Sequence, residues 1–214
     1  MNTTKKRKGR ITRATRKHFV NKLKKLYPSC KHDTNYDSSS YDGHNITYGE
    51  MNYEGMKKLN MYVQKINPEI NTFMDIGSGR GKLCLYLASL RKINKCIGIE
   101  LVKSRYEDAM ELKERLSLAF ADKVEFICAN VFDVNIRDIL PSDAKVFVWF
   151  SNLCFEQSTI DNIFEKIINE LPSGSIICCS KKTNSENERI IFIESVQIEM
   201  SWKKESDVYI YKLD

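Results

Sequence analysis

The hydrophobic and polar positions of the chain follow two alternating periods, one typical of buried strands and one typical of helices. Short apolar runs predict five strands, at residues 73–76, 95–100, 124–128, 145–150 and 175–180. Apolar positions at helical spacing predict the helices between them, at residues 82–90, 104–120, 136–140 and 159–171. Two last runs, 189–202 and 208–213, have the alternation of an antiparallel hairpin. This order predicts a doubly wound, seven-stranded α/β fold, mostly parallel, with a C-terminal antiparallel hairpin.

The residues before this sheet contain two further helical patterns and a polar segment between them. Apolar positions on one face predict a short helix at 16–27, and a second helical pattern covers 56–66. Residues 29–45 are rich in Asp, Ser, Asn and Tyr, which is typical of a loop. We therefore divide the chain into an N-terminal arm with a short helix, residues 1–28, and one folded domain, residues 29–214.

Charge is distributed unevenly along the chain, although the net charge is only +6 at pH 7. Residues 1–32 hold twelve of the 34 basic residues and none of the 28 acidic ones. The remainder therefore has 22 basic residues against 28 acidic ones, a balance of −6. Basic arms of this kind bind phosphate backbones or act as nuclear localisation signals. The alternative is a solvated tail without a partner.

The turn after the first strand carries most of the predicted chemistry. Gly77, Gly79 and Gly81 stand at alternate positions between this strand and a helix. Glycine lets the backbone turn sharply and lets a ligand approach it closely, and the new helix presents free N–H groups. In a parallel sheet the ligand lies beyond the carboxyl ends of the strands. Three other segments end there: Glu100 after the second strand, Asn130-Val131 after the third and Ser151-Asn152 after the fourth.

Two acidic residues narrow the identity of the ligand. Glu100 follows the turn by about twenty residues, where an acid accepts both hydroxyls of an unphosphorylated ribose. Asp75 precedes Gly77 by two residues and gives D-x-G-x-G-x-G, not the G-x-G-x-x-G of dinucleotide enzymes. With the acidic strand end, this pattern resembles class I methyltransferases, which have a Rossmann-like sheet and use S-adenosylmethionine. A nucleotide-binding fold without activity is the alternative.

A closer resemblance appears when the flanking segments are included. These segments are Tyr48-Gly49-Glu50, Asp75 to Gly81, Ser151 to Phe155, Ser180-Lys181, Met200-Ser201-Trp202 and Tyr209. Together they resemble the Dot1 family of histone lysine methyltransferases, and the likeness spans residues 41–214. The combination is specific, whereas no single segment is. The resemblance implies methyl transfer to a lysine in the folded core of a nucleosome, without the SET fold of other histone lysine methyltransferases.

The resemblance also implies roles for individual residues. Tyr48, Glu50 and Met51 would belong to a lid over the methionine end of S-adenosylmethionine. This lid would consist of residues 29–50, with Met51 directly after it. The residues implied to bind the rest of the cofactor are Asp75, Gly77, Ser78, Gly79, Gly81, Lys82, Glu100, Asn130, Val131 and Ser151. Those implied to take part in catalysis are Tyr48, Ser151, Asn152, Trp202 and Tyr209, with Trp149 lining the same passage. A dry aromatic passage lowers the pKa of the acceptor ammonium, which is about 10.4 in water, and positioning supplies much of the catalysis.

Two positions depart from the usual pattern of the family. Ser151 stands where the family usually has the first of two asparagines, and Asn130-Val131 stands in place of Asp-Phe. Phe132 and Asp133 follow directly, so a shift of one residue would restore that pair. These departures leave the prediction of S-adenosylmethionine as cofactor unchanged. The exact substrate lysine and the number of methyl groups added do not follow from the resemblance.

The resemblance implies that the basic arm binds DNA, because DNA phosphates lie beside the histone surface of a nucleosome. We expect a monomer that binds histone H3, in the nucleus or, for a viral protein, in the nucleus of the host cell. The residues expected to contact the DNA backbone are Lys5, Lys6, Arg7, Lys8, Arg10, Arg13, Arg16 and Lys17. No apolar run is long enough to span a bilayer, so no membrane partner is expected.

Two other functions remain open from the sequence. An RNA or DNA methyltransferase would use the same cofactor site and arm, but residues 151–154 lack the Asn/Asp-Pro-Pro-Tyr/Phe motif that presents a base amino group. A non-catalytic chromatin or nucleic-acid binder would have a broken cofactor site, whereas Asp75, the three glycines and Glu100 are all present. No metal is expected, since the seven cysteines form no C-x-x-C pair and the three histidines have no ligand spacing.

Overall fold

A seven-stranded sheet lies at the centre of the structure, a computed structural model that describes residues 12–27, 46–116 and 118–214. The strands are β1 (Thr72–Ile76), β2 (Lys95–Glu100), β3 (Val124–Cys128), β4 (Val146–Phe150), β5 (Ile176–Cys179), β6 (Ile190–Ile198) and β7 (Ser206–Leu213). Their order is β3-β2-β1-β4-β5-β7-β6. The first five strands are parallel, and β7 runs antiparallel between β5 and β6. The predicted fold class is therefore confirmed.

Helices cover both faces of this sheet. They are α1 (Arg13–Leu26), α2 (Tyr53–Ile66), α3 (Lys82–Ala88), α4 (Lys103–Arg115), α5 (Leu118–Ala121), α6 (Ile136–Ile139) and α7 (Gln157–Glu170), with a 3-10 turn at Val131–Asp133. One hydrophobic cluster joins α1 to α5 to the first face, and a second cluster joins α6 and α7 to the other face. None of the helices in the described ranges is long and apolar enough to cross a membrane.

The central strands are buried along their whole length because both of their faces are covered. All five residues of β1 and all five of β4 are buried. Along β1, Phe73 packs in the cluster on the α1–α5 face and Met74 packs in the cluster on the α6–α7 face. Asp75 follows them in register with Trp149 of β4. Because carboxylates are almost never fully buried without a partner, an acid at this carboxyl end of β1 points to function.

Two predicted elements end earlier than their periodicity indicated. The prediction of one continuous helix at 104–120 is wrong: α4 ends at Arg115, Leu116 adopts an extended conformation, and α5 is a separate turn. The predicted strand 189–202 is also too long, because β6 ends at Ile198. Beyond it the chain bonds to the segment before α2 instead, with Asn52 N–H donating to the Glu199 carbonyl at 3.3 Å.

The helix predicted at 16–27 is confirmed and begins one turn earlier, at Arg13, where Thr12 caps it by accepting a hydrogen bond from the Thr15 N–H. Phe19 and Leu23 are buried in the core, so this helix packs on the domain. The division predicted at residue 28 stays a prediction. Residues 1–11 and 28–45 lie outside the described ranges, and with them the predicted DNA contacts of Lys5, Lys6, Arg7, Lys8 and Arg10.

Candidate active site

The glycine turn lies at the edge of the sheet where the carboxyl ends of the parallel strands meet. The N–H groups of Gly77 and Ser78 donate to the Ile99 carbonyl at 2.9 and 3.0 Å, which bonds the turn to β2. Gly77, Gly79 and Gly81 have φ values of +76°, +53° and +73°. This left-handed conformation strains every residue except glycine, so the backbone itself requires glycine at all three positions.

The space above the three glycines differs from one to the next. A Cβ added to Gly77 would meet nothing within 4 Å. A Cβ on Gly79 would collide with the ring of Tyr48, and one on Gly81 would collide with the ring of Phe126 on β3. The turn is therefore open to a ligand at Gly77, whereas Gly79 receives the lid residue Tyr48 and Gly81 packs into the core.

Glu100 ties the glycine turn to the end of β2. Its carboxylate is buried and accepts hydrogen bonds from the N–H groups of Gly79 at 2.6 Å and Val102 at 2.8 Å. Burial raises the pKa of Glu100, while the bond from Val102, the charge of Arg105 and the bond from Gly79 act in the opposite direction. The carboxylate thus stands beside the open turn, at the position expected for a ribose-binding acid.

Two buried polar atoms near the turn have no hydrogen-bond partner among the residues that the structure describes. They are Oδ1 of Asp75 and Oγ of Ser78. Burial, followed by the charge of Glu100, raises the pKa of Asp75 well above its usual value. Leaving such atoms unpaired is costly, so native proteins rarely do it without a ligand or function. These atoms and the open space at Gly77 fit an organic ligand with an ammonium and hydroxyl groups, as S-adenosylmethionine has.

The lid is bonded to the turn through four side chains, Tyr27, Tyr48, Glu50 and Lys82, which we call the lid cluster. Glu50 Oε2 lies 3.2 Å from Nζ of Lys82, the first residue of α3, and both side chains are buried. Glu50 Oε1 accepts hydrogen bonds from the hydroxyls of Tyr27, at 2.6 Å, and Tyr48. Burial and the charge of Glu50 raise the pKa of both phenols, so both remain protonated donors.

Arg105 and Arg80 also hold Tyr48 over the turn. The Arg105 guanidinium is buried, donates to the Ile46 carbonyl at 2.6 Å and lies 4.8 Å from the centre of the Tyr48 ring. The backbone N–H of Arg80 donates to the Tyr48 hydroxyl at 3.3 Å. Tyr48 therefore has its ring and its hydroxyl both fixed above Gly79.

Sequence reasoning missed two residues of this arrangement, Tyr27 and Arg105. Arg105 carried a signal, because it stands on the same helical stripe as Ala109, Leu112 and Leu116, all of them buried. A charged residue on a buried stripe marks a structural or functional contact. Tyr27 carried none: it continues the apolar face of α1, and nothing in the sequence indicates a partner for its hydroxyl.

The lid also joins the segment that follows β6 and so brings Trp202 to the site. Glu50 accepts a hydrogen bond at its carbonyl from the Ser201 N–H at 2.7 Å and donates its own N–H to the Ser201 hydroxyl at 3.0 Å. Met51 and Met200 form a bridge, and both side chains are buried. The Trp202 ring packs so closely on Gly49 that a Cβ there would collide with it.

The segment after β4 is held by its own hydrogen bonds. Asn152 is fully buried, donates from Nδ2 to the Lys181 carbonyl at 2.8 Å and accepts at Oδ1 from the Lys181 N–H at 2.7 Å. Both ends of its amide therefore serve to position the loop after β5. Ser151, beside it at the end of β4, is half-buried.

The two aromatic residues expected in one passage pack on different faces of the sheet. Trp202 packs against the cluster on the α1–α5 face, as does the buried Trp149. Tyr209 packs against the cluster on the α6–α7 face, with the Lys182 ammonium 5.2 Å from its ring centre. Any passage that Trp202 and Tyr209 share has to cross the edge of the sheet between them.

The turn after β3 lies at the same edge. Asn130 is half-buried and caps the 3-10 turn, since its Oδ1 accepts from the Phe132 N–H at 3.1 Å. Val131 is buried, whereas the Phe132 side chain is 41% exposed. The turn thus presents an apolar ring beside Asn130. In the described part of the chain, no three His, Cys, Asp or Glu side chains are grouped to hold a metal ion.

Comparison with known proteins finds one matching family and several relatives. The model of the family described as "Histone methylation protein DOT1" matches residues 25–210. A protein of Caenorhabditis elegans named "Histone-lysine N-methyltransferase, H3 lysine-79 specific" is 26% identical over 152 residues, which are 68% of this chain and 16% of that protein. The protein of the same name from Drosophila melanogaster is 29% identical over 149 residues, 67% of this chain and 8% of its own length. The chain therefore spans less than a fifth of either relative.

Several solved structures with a similar fold are methyltransferases. An RNA methyltransferase from Salinibacter ruber in complex with S-adenosyl-L-homocysteine has a TM-score of 0.53 at 18% identity, over 73% of this chain and 91% of its own. An O-methyltransferase from Bacillus cereus in complex with the same compound has a TM-score of 0.59 at 13% identity, over 92% of this chain and 99% of its own. At such identities these likenesses establish the class I methyltransferase fold and nothing finer.

Proposed function

The chain belongs to the DOT1 family of histone methylation proteins, and from that premise we propose that it transfers methyl groups from S-adenosylmethionine to a lysine of nucleosomal histone H3. The proposal rests on the glycine turn of this chain. The turn is open at Gly77 and covered by the lid at Gly79, and the buried Asp75 Oδ1 near it has no partner in the described structure. The acceptor is inferred from the two relatives, whose names specify H3 lysine-79.

The proposed roles at the cofactor follow the chemistry of each side chain. When bound, S-adenosylmethionine supplies a methyl group activated by a sulfonium. Asp75 would accept from its ammonium, and Glu100 would accept from the ribose hydroxyls while holding the turn through Gly79. Asn130 and Val131 would flank the adenine, and the Ser78 hydroxyl would supply a further polar contact. Tyr48, Glu50 and Lys82 would keep the lid closed over the turn, with Met51 anchoring its far side.

The proposed roles at the acceptor rest on exclusion of water. A lysine must lose a proton before its amine has a lone pair for in-line attack, and burial between aromatic rings favours the neutral form. Trp202, beside the lid, and Tyr209, across the sheet edge, would form this dry boundary. Ser151 stands at the end of β4, and Asn152 would act by positioning the Lys181 loop. Positioning of the amine accounts for much of the rate in such a transfer.

The basic N-terminal segment is the proposed DNA contact, which would act in the nucleus beside the histone surface. Support comes from α1, a 14-residue helix with no acidic residue, in which Arg13 and Lys17 are exposed and point away from the buried Phe19 and Leu23, while Arg16 is also exposed. Together with the basic residues at 5–10, they would neutralise phosphates without sequence preference.

The proposal is tested by incubating the protein with radiolabelled S-adenosylmethionine and three substrates in parallel: nucleosomes, free histones and total RNA. We expect label in histone H3, and more from nucleosomes than from free histones. Asp75→Asn should weaken cofactor binding and so lower the transfer about tenfold when S-adenosylmethionine is below saturation. Asp122→Asn, which changes an exposed acid beyond α5, should leave the transfer unchanged. Label in RNA alone would instead identify a nucleic-acid methyltransferase, and binding of S-adenosylmethionine without any transfer would indicate a non-catalytic binder.

A further inference from the structure

Tyr27 connects α1 to the lid across a long stretch of sequence. It caps the C-terminus of α1, where its N–H donates to the Leu23 carbonyl at 2.8 Å, and its side chain is buried. Its hydroxyl donates to Glu50 Oε1 at 2.6 Å. The last turn of the basic helix is thus bonded directly to a residue of the lid.

From Glu50 the contacts continue to the cofactor turn. The second carboxylate oxygen of Glu50 pairs with Lys82 at 3.2 Å, and Lys82 opens α3 directly after Gly81. The first oxygen also accepts from Tyr48, whose ring covers Gly79. Because the side chains of Glu50 and Lys82 are only 5% and 3% exposed, water cannot replace a lost partner at low cost. Displacement of Tyr27 therefore acts on the lid and on the turn together.

The charge on α1 makes its own stability sensitive to a bound anion. Arg13 and Lys17 stand four residues apart at its N-terminal end, a spacing at which like charges repel, and Arg16 adds a third cation there. These cations also lie at the positive end of the helix dipole, and the helix has no acid to offset them. An isolated helix of 14 residues is marginal in water, so α1 depends on its docking through Phe19 and Leu23. A polyanion along the outer face would remove the repulsion and favour the docked helix.

We propose that Tyr27 is a positioning residue for the cofactor lid, and that through it duplex DNA bound to the basic face of α1 raises the affinity for S-adenosylmethionine. The inference rests on the proposed function for the identity of its cofactor. It requires that DNA binds the docked helix better than the undocked one, which the alignment of cations on one helical face provides. By linkage, the cofactor must raise the affinity for DNA by the same factor.

The test is calorimetric titration of S-adenosylmethionine into the full chain, with and without a short DNA duplex. Tyr27→Phe removes a buried hydrogen bond to a carboxylate, so we expect its dissociation constant to rise about tenfold, the factor that corresponds to 1.4 kcal/mol. We also expect DNA to tighten binding in the wild type and to have no effect in this variant. Tyr62→Phe, a half-buried tyrosine of α2, is the matched control and should behave as the wild type.

A surface variant keeps the test valid if Tyr27→Phe folds poorly. Arg13→Gln with Lys17→Gln changes only exposed positions. Because it removes the same charge repulsion as DNA would, it should bind S-adenosylmethionine without DNA at least as tightly as the wild type does, while losing most of the tightening by DNA. Equal cofactor affinity in the wild type and Tyr27→Phe, or a wild-type affinity that DNA leaves unchanged, would overturn the inference alone. A wild type that does not bind S-adenosylmethionine at all would overturn the proposed function and the inference with it.

Discussion

The Asp75 carboxylate on the cofactor side and the Asn152 amide on the acceptor side of the candidate site differ in how they are paired. On the cofactor side, Asp75 Oδ1 and Ser78 Oγ are buried without a partner in the described structure. On the acceptor side, both ends of the Asn152 amide are bonded to the backbone of Lys181. Since an unpaired buried polar atom is costly, the first arrangement indicates atoms held ready for a ligand, and the second indicates scaffold.

The two sides also differ in how they are assembled from the chain. Asp75, the three glycines and Glu100 all come from two adjacent strands and the turn between them. The acceptor side draws on the end of β4, the segment after β6 and the middle of β7, and its two aromatic residues lie on different faces of the sheet. Local sequence thus determines the cofactor side, whereas the acceptor side depends on the lid and on long connections.

The largest expected effect concerns the lid cluster, which joins the two sides. Glu50→Gln leaves Lys82 buried with a neutral partner, and loss of one partner of a buried ion pair costs about 3–5 kcal/mol of unfolding free energy. Urea denaturation measures this change. Glu54→Gln is the matched control, because the Glu54–Lys57 pair is exposed and such pairs contribute about 0–1 kcal/mol. Equal losses in the two variants would contradict the role of the lid cluster.

The next effect separates scaffold from ligand binding. Asn152→Ala removes two buried hydrogen bonds to Lys181, so we expect a loss of about 2 kcal/mol in stability and a lower rate of methyl transfer. The affinity for S-adenosylmethionine should stay unchanged, since Asn152 acts on the acceptor side. Asn162→Ala, at an exposed position of α7, provides the control for stability. A weakened cofactor affinity in Asn152→Ala would remove the distinction between the two sides.

Asp75→Asn should have the opposite combination of effects. We expect cofactor affinity to fall about tenfold, or 1.4 kcal/mol, because the charge that faces the ligand is lost. The stability of the protein without cofactor should rise at neutral pH. The pKa of Asp75 is raised in the folded protein above its ordinary 3.8, so the unfolded chain loses its proton first as pH increases. The wild type therefore loses stability relative to the variant as pH rises above about 4, which thermal unfolding across pH measures.

The smallest expected effect concerns the basic helix. Lys17→Gln removes one exposed cation from α1, so the slope of log affinity for DNA against log salt should become shallower by about 0.9. Cofactor affinity measured without DNA should not fall. Binding of duplex DNA at several salt concentrations provides the measurement, and a slope equal to that of the wild type would exclude Lys17 from the DNA contact.

The sequence predicted the strands and the glycine turn of the cofactor side because their signals are local. The bounds of β2 and β3 agree with the apolar runs, and the glycine spacing marked a turn whose backbone needs left-handed conformations. Arg105 could have been found from its place on a buried helical stripe. The end of α4 at Arg115 could not, because Leu116 continues the apolar periodicity while adopting an extended conformation.

Long-range contacts account for what the sequence could not predict. Tyr27 meets Glu50 only after the chain folds, and an apolar helical face gives no sign of a hydroxyl partner. Trp202 and Tyr209 are seven positions apart in sequence and were expected to share one passage. The face of the sheet on which each ring packs is determined separately, because Tyr209 lies within β7 whereas Trp202 lies in the segment bonded to the lid.

The position of the methylated residue gives the decisive evidence for methyl transfer to histone H3. Nucleosomes are incubated with the full chain and S-adenosylmethionine, and histone H3 is then analysed by peptide mass spectrometry beside reactions with Asp75→Asn and Asp122→Asn. With S-adenosylmethionine below saturation, we expect methylation of a lysine in the folded core of H3 by the wild type and by Asp122→Asn, and about tenfold less by Asp75→Asn. Unmodified H3 from a wild type that binds S-adenosylmethionine, or equal methylation by Asp75→Asn, would refute methyl transfer at this site.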